Sequence, residues 1–185
     1  HHGPELARRL VSSRHPVVFV GDPEVPGLPY VDLDQHAASA TATRHLLARG
    51  ARRIATITGP QDMRAGVQRL EGFVEALSDA GLPPAAVAWG DFTVRGGEDA
   101  TRELLASVPD VEAVFVASDL MALGAVRTLQ AAGRRVPDDV AVVGFDDSSA
   151  ALQSAPQLTT MTNPASELTR RAAEMLKQLL DGAPS

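Results

Sequence analysis

Short apolar runs rich in Val and Ile alternate along the chain with longer amphipathic stretches. The runs predicted as strands are residues 17–20, 54–57, 87–89, 113–116 and 140–143. The last four are spaced by roughly 25 to 30 residues, the length of a strand–helix–strand unit. A parallel sheet is covered on both faces, so its strands read as continuous apolar runs. The pattern therefore predicts an α/β fold with doubly wound parallel sheets.

Six amphipathic stretches between these runs predict helices: residues 4–13, 35–49, 66–80, 97–106, 120–132 and 166–180. Glycine follows four of them, at positions 50, 81, 133 and 182, where a helix often ends on a left-handed residue. Asp34 is a candidate N-cap for the second helix, and Ser118 or Asp119 for the fifth.

Composition removes several classes of chemistry. The 185 residues contain no cysteine, which excludes disulfides, thiolate nucleophiles and Cys-ligated metal centres. Lys177 is the only lysine, which argues against Schiff-base and Walker-type chemistry. The expectation is a protein with no cofactor.

The net charge of −6 and the hydropathy pattern limit the partners. The longest nearly apolar run, residues 120–126, is far short of the ~20 residues that a membrane helix needs. The first residues lack the order of a secretory signal, and His1-His2 is compatible with a tag remnant or with native sequence. Broad binding of nucleic acid requires a basic face. We therefore expect no membrane contact and no DNA binding by this chain alone.

Polar residues follow the ends of four predicted strands, at positions 58–62, 90–93, 117–119 and 144–148. Ligands of open parallel sheets bind at the carboxyl ends of the strands. Each turn taken singly is equally explained as an ordinary capped α/β turn, but the four together predict one ligand-binding crevice.

The residues offer a weaker enzymatic alternative. Asp32-Leu33-Asp34 is similar to the nucleophile motif of haloacid-dehalogenase-like phosphatases, with Asp146-Asp147 as a magnesium pair. Gln35 and His36 replace the small hydroxyl residue of that motif, and helix capping by Asp34 explains the same residues. The five histidines have no metal-ligand spacing, so we expect no metal site and no catalytic residues.

Seven segments, taken in order, carry a resemblance to a known family. They are residues 45–55, 58–60, 69–73, 90–92, 117–125 (with the sequence SDLMALGA), 136–147 and 156–160 (PQLTT). Together they resemble the effector-binding core of the LacI/GalR family of transcriptional regulators. The periplasmic sugar-binding proteins of transport systems share that fold and are the first alternative, but the SDLMALGA and PQLTT segments are more similar to the regulators.

The resemblance implies a cytoplasmic, two-lobed sensor that binds a small polyhydroxylated effector such as a sugar between its lobes. It implies that residues 1–34 form a partial N-terminal lobe, 35–162 the C-terminal lobe, and 163–185 a return segment into the N-terminal lobe. The helix-turn-helix headpiece that reads operator DNA is expected to lie outside this chain.

The resemblance also implies site residues. Arg69 corresponds to an arginine that faces the ligand hydroxyls and Asp146 to the acid opposite it, with an ion pair closing an empty cleft as the alternative. Phe92 corresponds to an aromatic residue of the cleft wall, with a plain core residue as an equal alternative. The remaining effector-binding candidates are Ser118, Asn163, Ala65 and Gly21, and some sugar-responsive members have an acid at the position of Gly21. A guanidinium and a carboxylate together match the donors and acceptors of a vicinal diol.

The predicted helix 120–132 is apolar over more of its circumference than one contact with a sheet can use. The resemblance implies that this helix and the segment near Leu152 form a homodimer interface, with Ala122, Leu123 and Val126. The alternative is a helix packed between the sheet and a neighbouring helix of its own lobe.

Overall fold

The computed structural model describes residues 3–12 and 15–182, with seven helices and seven strands in that part of the chain. In chain order the elements are α1 Gly3–Ser12, β1 Phe19–Val20, β2 Tyr30–Val31, α2 Gln35–Ala48, β3 Ile54–Thr58, α3 Arg64–Asp79, β4 Val87–Trp89, α4 Val94–Ser107, β5 Ala113–Val116, α5 Asp119–Ala131, β6 Ala141–Asp146, α6 Ser149–Gln153, β7 Thr159–Thr162 and α7 Ala165–Leu180. His1-His2 and Ser13, the expected end of the first helix, lie outside the described residues.

The chain divides into two compact units. Unit 1 contains residues 1–34 and 164–185, and unit 2 contains residues 35–163. In unit 1, β1 and β2 pair in parallel, with Phe19 opposite Tyr30 and Val20 opposite Val31. Helix α7 packs against both of these strands.

Unit 2 is built on a five-stranded parallel sheet with the order β4-β3-β5-β6-β7. The predicted α/β fold with parallel sheets is confirmed. Helices cover both faces of this sheet. Alternate residues of each strand point to opposite faces, so the buried, apolar strands present an apolar surface on both sides that the helices bury. On one face Phe73 of α3 stacks on Phe115, with ring centroids 6.1 Å apart, and Phe115 meets the edge of Phe145. On the other face Ile57, Val114 and Val116 belong to the core that α4 and α5 share.

Helices α4 and α5 approach each other through glycine. A Cβ atom added to Gly124 would lie 2.1 Å from the carbonyl oxygen of Val94, and one added to Gly97 would lie 2.2 Å from that of Met121. Neither position has room for a side chain. The small residues of α5 therefore serve contact with α4 of the same unit.

This packing accounts for the apolar circumference of α5 within one unit, and the predicted dimer interface stays a prediction. Ala122, Leu123 and Val126 are each less than a tenth exposed in the single chain, and Ala122 and Val126 belong to the core that α4, α5 and the sheet share. Leu120 and Leu152 are 48% and 70% exposed. A homodimer interface with Ala122, Leu123, Val126 and Leu152 stays a prediction.

The predicted elements differ from the observed ones mainly in their lengths, and three observed elements were not predicted. Strands β4 and β5 have the predicted bounds, whereas β1 contains only the last two residues of its predicted run and β6 continues to Asp146. The pattern missed β2, β7 and α6, which are short or rich in threonine. The four glycines at 50, 81, 133 and 182 have φ between 70° and 95°, as predicted for residues that end helices. Within the described ranges, no helix is both long and apolar enough to cross a membrane.

Candidate functional site

The carboxyl ends of all five strands of unit 2 lie along one edge of the sheet. Parallel pairing in the order β4-β3-β5-β6-β7 places the turns after them side by side, as predicted for the turns at 58–62, 90–93, 117–119 and 144–148. The turn after β7, which contains Asn163, is a fifth turn at this edge. It was not among the four turns predicted from the sequence.

Arg69 lies at the centre of this edge and is 4% exposed. It projects from α3, and its backbone carbonyl accepts a 2.5 Å hydrogen bond from the buried Ser39 hydroxyl of α2. Its Nε donates to Gln35 Oε1 at 2.9 Å, Nη1 to the carbonyl oxygen of Ala117 at 2.5 Å, and Nη2 to Asp146 Oδ1 at 3.3 Å. Three different elements therefore fix the guanidinium.

Aromatic rings also contact this cation. The guanidinium carbon lies 3.7 Å from the ring centroid of Phe145 and 5.8 Å from that of Phe92. Both distances are within the range of cation–π attraction. The rings restrict the plane of the guanidinium while the hydrogen bonds fix its direction.

Asp146, at the end of β6, faces Arg69 with its side chain 32% exposed. Burial raises the pKa of its carboxyl, the charge of Asp119 adds to this, and Arg69 and the hydrogen bond from Asn163 oppose it. Its backbone has a φ of 112° and that of Asp147 a φ of 53°, both unusual for residues other than glycine. Backbone strain of this kind costs on the order of 1–3 kcal/mol and is concentrated at functional sites.

Buried Asp119 supports the strained turn. Its carboxylate accepts hydrogen bonds from the backbone N–H of Ser148 and from the hydroxyl of Thr160, both at 2.6 Å. The Thr160 oxygen in turn accepts from the N–H of Asp147 at 3.3 Å. Gly144 leaves room for this carboxylate, because a Cβ there would lie 2.4 Å from Asp119 Oδ1.

Phe92 follows β4 and has a φ of 64°. Its ring covers Gly59, where an added Cβ would lie 2.2 Å from the Phe92 Cζ atom, and its N–H donates to Met121 Sδ at 3.3 Å. The ring is partly buried against the α4 and α5 core, and one part of it remains exposed at the edge. The ring lies beside Arg69, and its role as an aromatic wall for a ligand stays a prediction.

The remaining predicted residues are placed as follows. Ser118 is buried and caps α5, its hydroxyl accepting from the N–H of Met121 at 3.3 Å. Asn163 donates through Nδ2 to Asp146 Oδ1 at 3.4 Å, and its Oδ1 is buried with no hydrogen-bond partner within the described part of the chain. Ala65 is half-buried in the first turn of α3. Gly21 belongs to unit 1, with a φ of 92°.

Unit 2 thus brings together Arg69, Asp146, Phe92 and Asn163 at one edge. The sequence reading did not predict that Gln35 and the Ala117 carbonyl bond Arg69, nor that Asp119 holds the turn after β6. A polar residue at the first position of α2 was the available signal for Gln35.

The geometry also bears on the phosphatase alternative. Asp32 accepts hydrogen bonds from the N–H groups of Asp22 and Leu33 and so serves its own loop. In the ranges that the structure describes, no group of three His, Cys, Asp or Glu side chains is arranged to hold a metal ion.

Residues 43–185 match the family described as periplasmic binding protein-like domain. The HTH-type transcriptional regulator CelR of Thermobifida fusca is 47% identical over 98% of this chain and 55% of its own length. A solved structure of a CelR–cellobiose complex is 48% identical, with a TM-score of 0.85 over 91% of this chain and 53% of that one. A dimeric Lac repressor structure is 28% identical, with a TM-score of 0.90 over 98% of this chain and 67% of that one. The chain spans about half the length of the curated relatives it matches.

Proposed function

Because the chain belongs to the LacI/GalR family of transcriptional regulators and has the periplasmic-binding-protein-like fold of their effector domains, we propose that it binds a sugar effector at the carboxyl edge of unit 2. The observation that carries the proposal is the pairing of buried Arg69 with half-buried Asp146, 3.3 Å apart. A guanidinium offers donors and a carboxylate offers acceptors, so the pair complements adjacent hydroxyl groups of a sugar.

Two neighbours complete the proposed site. The exposed part of Phe92 offers an apolar face on which a pyranose ring can stack. Asn163 donates through Nδ2 to Asp146 Oδ1 at 3.4 Å and so holds the carboxylate that would accept from a ligand hydroxyl. Ser118 and Ala65 stay proposed contacts, although the Ser118 hydroxyl already accepts from the N–H of Met121 as a helix cap. Gly21 lies in unit 1 and stays an expectation from the resemblance.

The structure solved with CelR contains cellobiose, which makes a β-linked disaccharide the first sugar to test. The experiment is a thermal-shift panel of cellobiose, other sugars, sugar phosphates and nucleobases. A ligand at 100 times its Kd adds about 2.7 kcal/mol of stability. We expect stabilisation by a neutral sugar, reduced in Asp146→Asn. Stabilisation only by phosphates or nucleobases, or an undiminished sugar response in Asp146→Asn, would contradict the proposal.

The proposed role of the whole protein is to couple sugar binding to operator affinity in the cytoplasm. The support is that CelR and CytR are named as HTH-type transcriptional regulators. In this role the chain acts by binding and not by catalysis, with Arg69 and Asp146 as recognition groups.

We further propose that the chain forms a homodimer. The chain resembles the structure of a dimeric Lac repressor, and Leu120 and Leu152 are large apolar side chains exposed in the single chain. In a two-fold dimer the same patch meets itself, so Leu152→Glu places two charges in the contact. Sedimentation of Leu152→Glu should give a folded monomer. An unchanged dimer, or a wild type that is already monomeric, would refute the interface.

A further inference from the structure

Gln35 is a buried polar residue at a junction of the fold. It is the first residue of α2 and the first residue of unit 2, directly after the chain leaves unit 1. Only 5% of its surface is exposed. Its side-chain oxygen accepts the Arg69 Nε–H at 2.9 Å, a shorter contact than the 3.3 Å between Arg69 Nη2 and Asp146 Oδ1.

The orientation of a guanidinium is fixed once Nε and one terminal nitrogen are both bonded, because the group is planar and rigid. Gln35 holds Nε, and the Ala117 carbonyl holds Nη1. The edge that carries Nη2 is then turned toward Asp146 at the carboxyl ends of the strands. The bond from Gln35 thus determines which N–H groups face the proposed sugar.

We propose that Gln35 is a positioning residue of the effector site, which fixes the plane of the Arg69 guanidinium so that its Nη2 edge is presented to the ligand. This inference rests on the proposed function for the identity of the ligand. The positioning of Arg69 is testable without any ligand. Gln35 itself is expected to contribute to recognition through Arg69.

The test uses the full 185-residue chain and three variants. Gln35→Met keeps the length and burial of the side chain and removes the acceptor. Gln35→Glu retains an oxygen at the same position. Gln130→Met is the matched control, because Gln130 is an exposed glutamine that bonds the carbonyl of Ala155, away from the site.

The first readout is the rate of hydrogen exchange of the Arg69 Nε–H, which is measured by NMR of the arginine side chains. A buried and bonded N–H exchanges slowly, and loss of the acceptor exposes it through reorientation. We expect at least about tenfold faster exchange in Gln35→Met, and wild-type protection in Gln35→Glu and Gln130→Met. Unchanged exchange in folded Gln35→Met would overturn the proposal. If Gln35→Met does not fold, the Gln35→Glu variant is decisive. Loss of Arg69 Nε–H protection in Gln35→Glu, with an unchanged melting temperature, would overturn the proposal, and retained protection supports it.

The second readout is cellobiose affinity by calorimetry. A loss of about 1 kcal/mol corresponds to roughly a fivefold higher Kd, and we expect this in Gln35→Met with rescue in Gln35→Glu. Equal affinity of wild type and Gln35→Met, despite faster Nε–H exchange, would overturn the link between Arg69 orientation and recognition. If wild type binds no cellobiose, the proposed sugar fails, and the exchange measurement alone decides whether Gln35 positions Arg69.

Discussion

Replacing Arg69 by methionine removes the charge of the guanidinium and its hydrogen bonds to Gln35, Ala117 and Asp146. Methionine keeps an unbranched apolar stem of similar length, so the contact with the Phe145 ring is largely retained. The substitution withdraws the donor from Gln35 Oε1, from the carbonyl of Ala117 and from Asp146. It therefore isolates the polar role of Arg69 from its packing.

The magnitude follows from the burial of each partner. A hydrogen bond to a charged group contributes about 1.5–3 kcal/mol when buried. The bonds to Gln35 and Ala117 are buried, whereas the pair with Asp146 is a third exposed and is reduced by solvent screening. Since methionine recovers some apolar burial, we expect a net loss of roughly 2–4 kcal/mol in the free energy of unfolding. For a chain of this size that lowers the Tm by roughly 5–15 °C.

Urea unfolding of Arg69→Met and of a control, Arg127→Met, measures this loss. Arg127 is exposed on α5, so its replacement should change the free energy of unfolding by less than about 0.5 kcal/mol. In the same samples cellobiose affinity should fall at least tenfold in Arg69→Met, a loss of about 1.4 kcal/mol, and remain unchanged in Arg127→Met. A stable Arg69→Met variant would refute the hydrogen-bond account. A destabilised variant with full affinity would mean that Arg69 is a structural ion-pair residue only.

Four further outcomes follow from the structure. Because burial raises the pKa of the Asp146 carboxyl, the contribution of this group to stability is full at pH below about 4 and is lost as the pH rises through the folded-state pKa. As the pH rises above about 4, urea unfolding of Asp146→Asn and wild type should show their difference shifting in favour of the variant, and a pH-independent difference would contradict this. Gly124→Ala should destabilise the chain by about 1–3 kcal/mol in thermal unfolding, since the new Cβ meets the Val94 carbonyl. In an open helix the same substitution normally stabilises. Stabilisation here would refute the close approach of α4 and α5. The Glu167 carboxyl, which Arg170 holds by a side-chain hydrogen bond, should titrate by NMR with a pKa of about 2, and an ordinary value would show that the pair does not persist in solution. A gel shift at low salt should be negative, because the net charge is −6, and a sequence-specific complex would contradict the expectation that this chain alone does not bind DNA.

The periodicity of apolar residues predicted most of unit 2 because its central strands are fully buried. All five residues of β3 and all four of β5 are buried, which requires continuous apolar or small residues. Strand β7 has the sequence Thr-Thr-Met-Thr and is partly exposed at the edge of the sheet. As an edge strand it has a neighbouring strand on one side only, so fewer of its residues need to be apolar. The apolar pattern therefore did not predict β7.

The candidate site was predictable only as far as local sequence specifies it. The polar turns at strand ends and the family resemblance indicated Arg69, Asp146 and Phe92. The bond from Arg69 to Gln35 joins residues 34 positions apart, and the bond from Thr160 to Asp119 spans 41. Such pairs depend on how helices are placed on the sheet, which periodicity does not encode. Periodicity likewise did not show which element packs against the second apolar face of α5. In the structure that element is α4.

The most direct test of the central claim is a structure of this chain determined with cellobiose bound. The account predicts sugar hydroxyls within hydrogen-bond distance of Arg69 Nη2 and the Asp146 carboxylate, with a sugar ring on the exposed face of Phe92. A sugar bound elsewhere, with the Arg69–Asp146 pair unchanged and untouched, would contradict it.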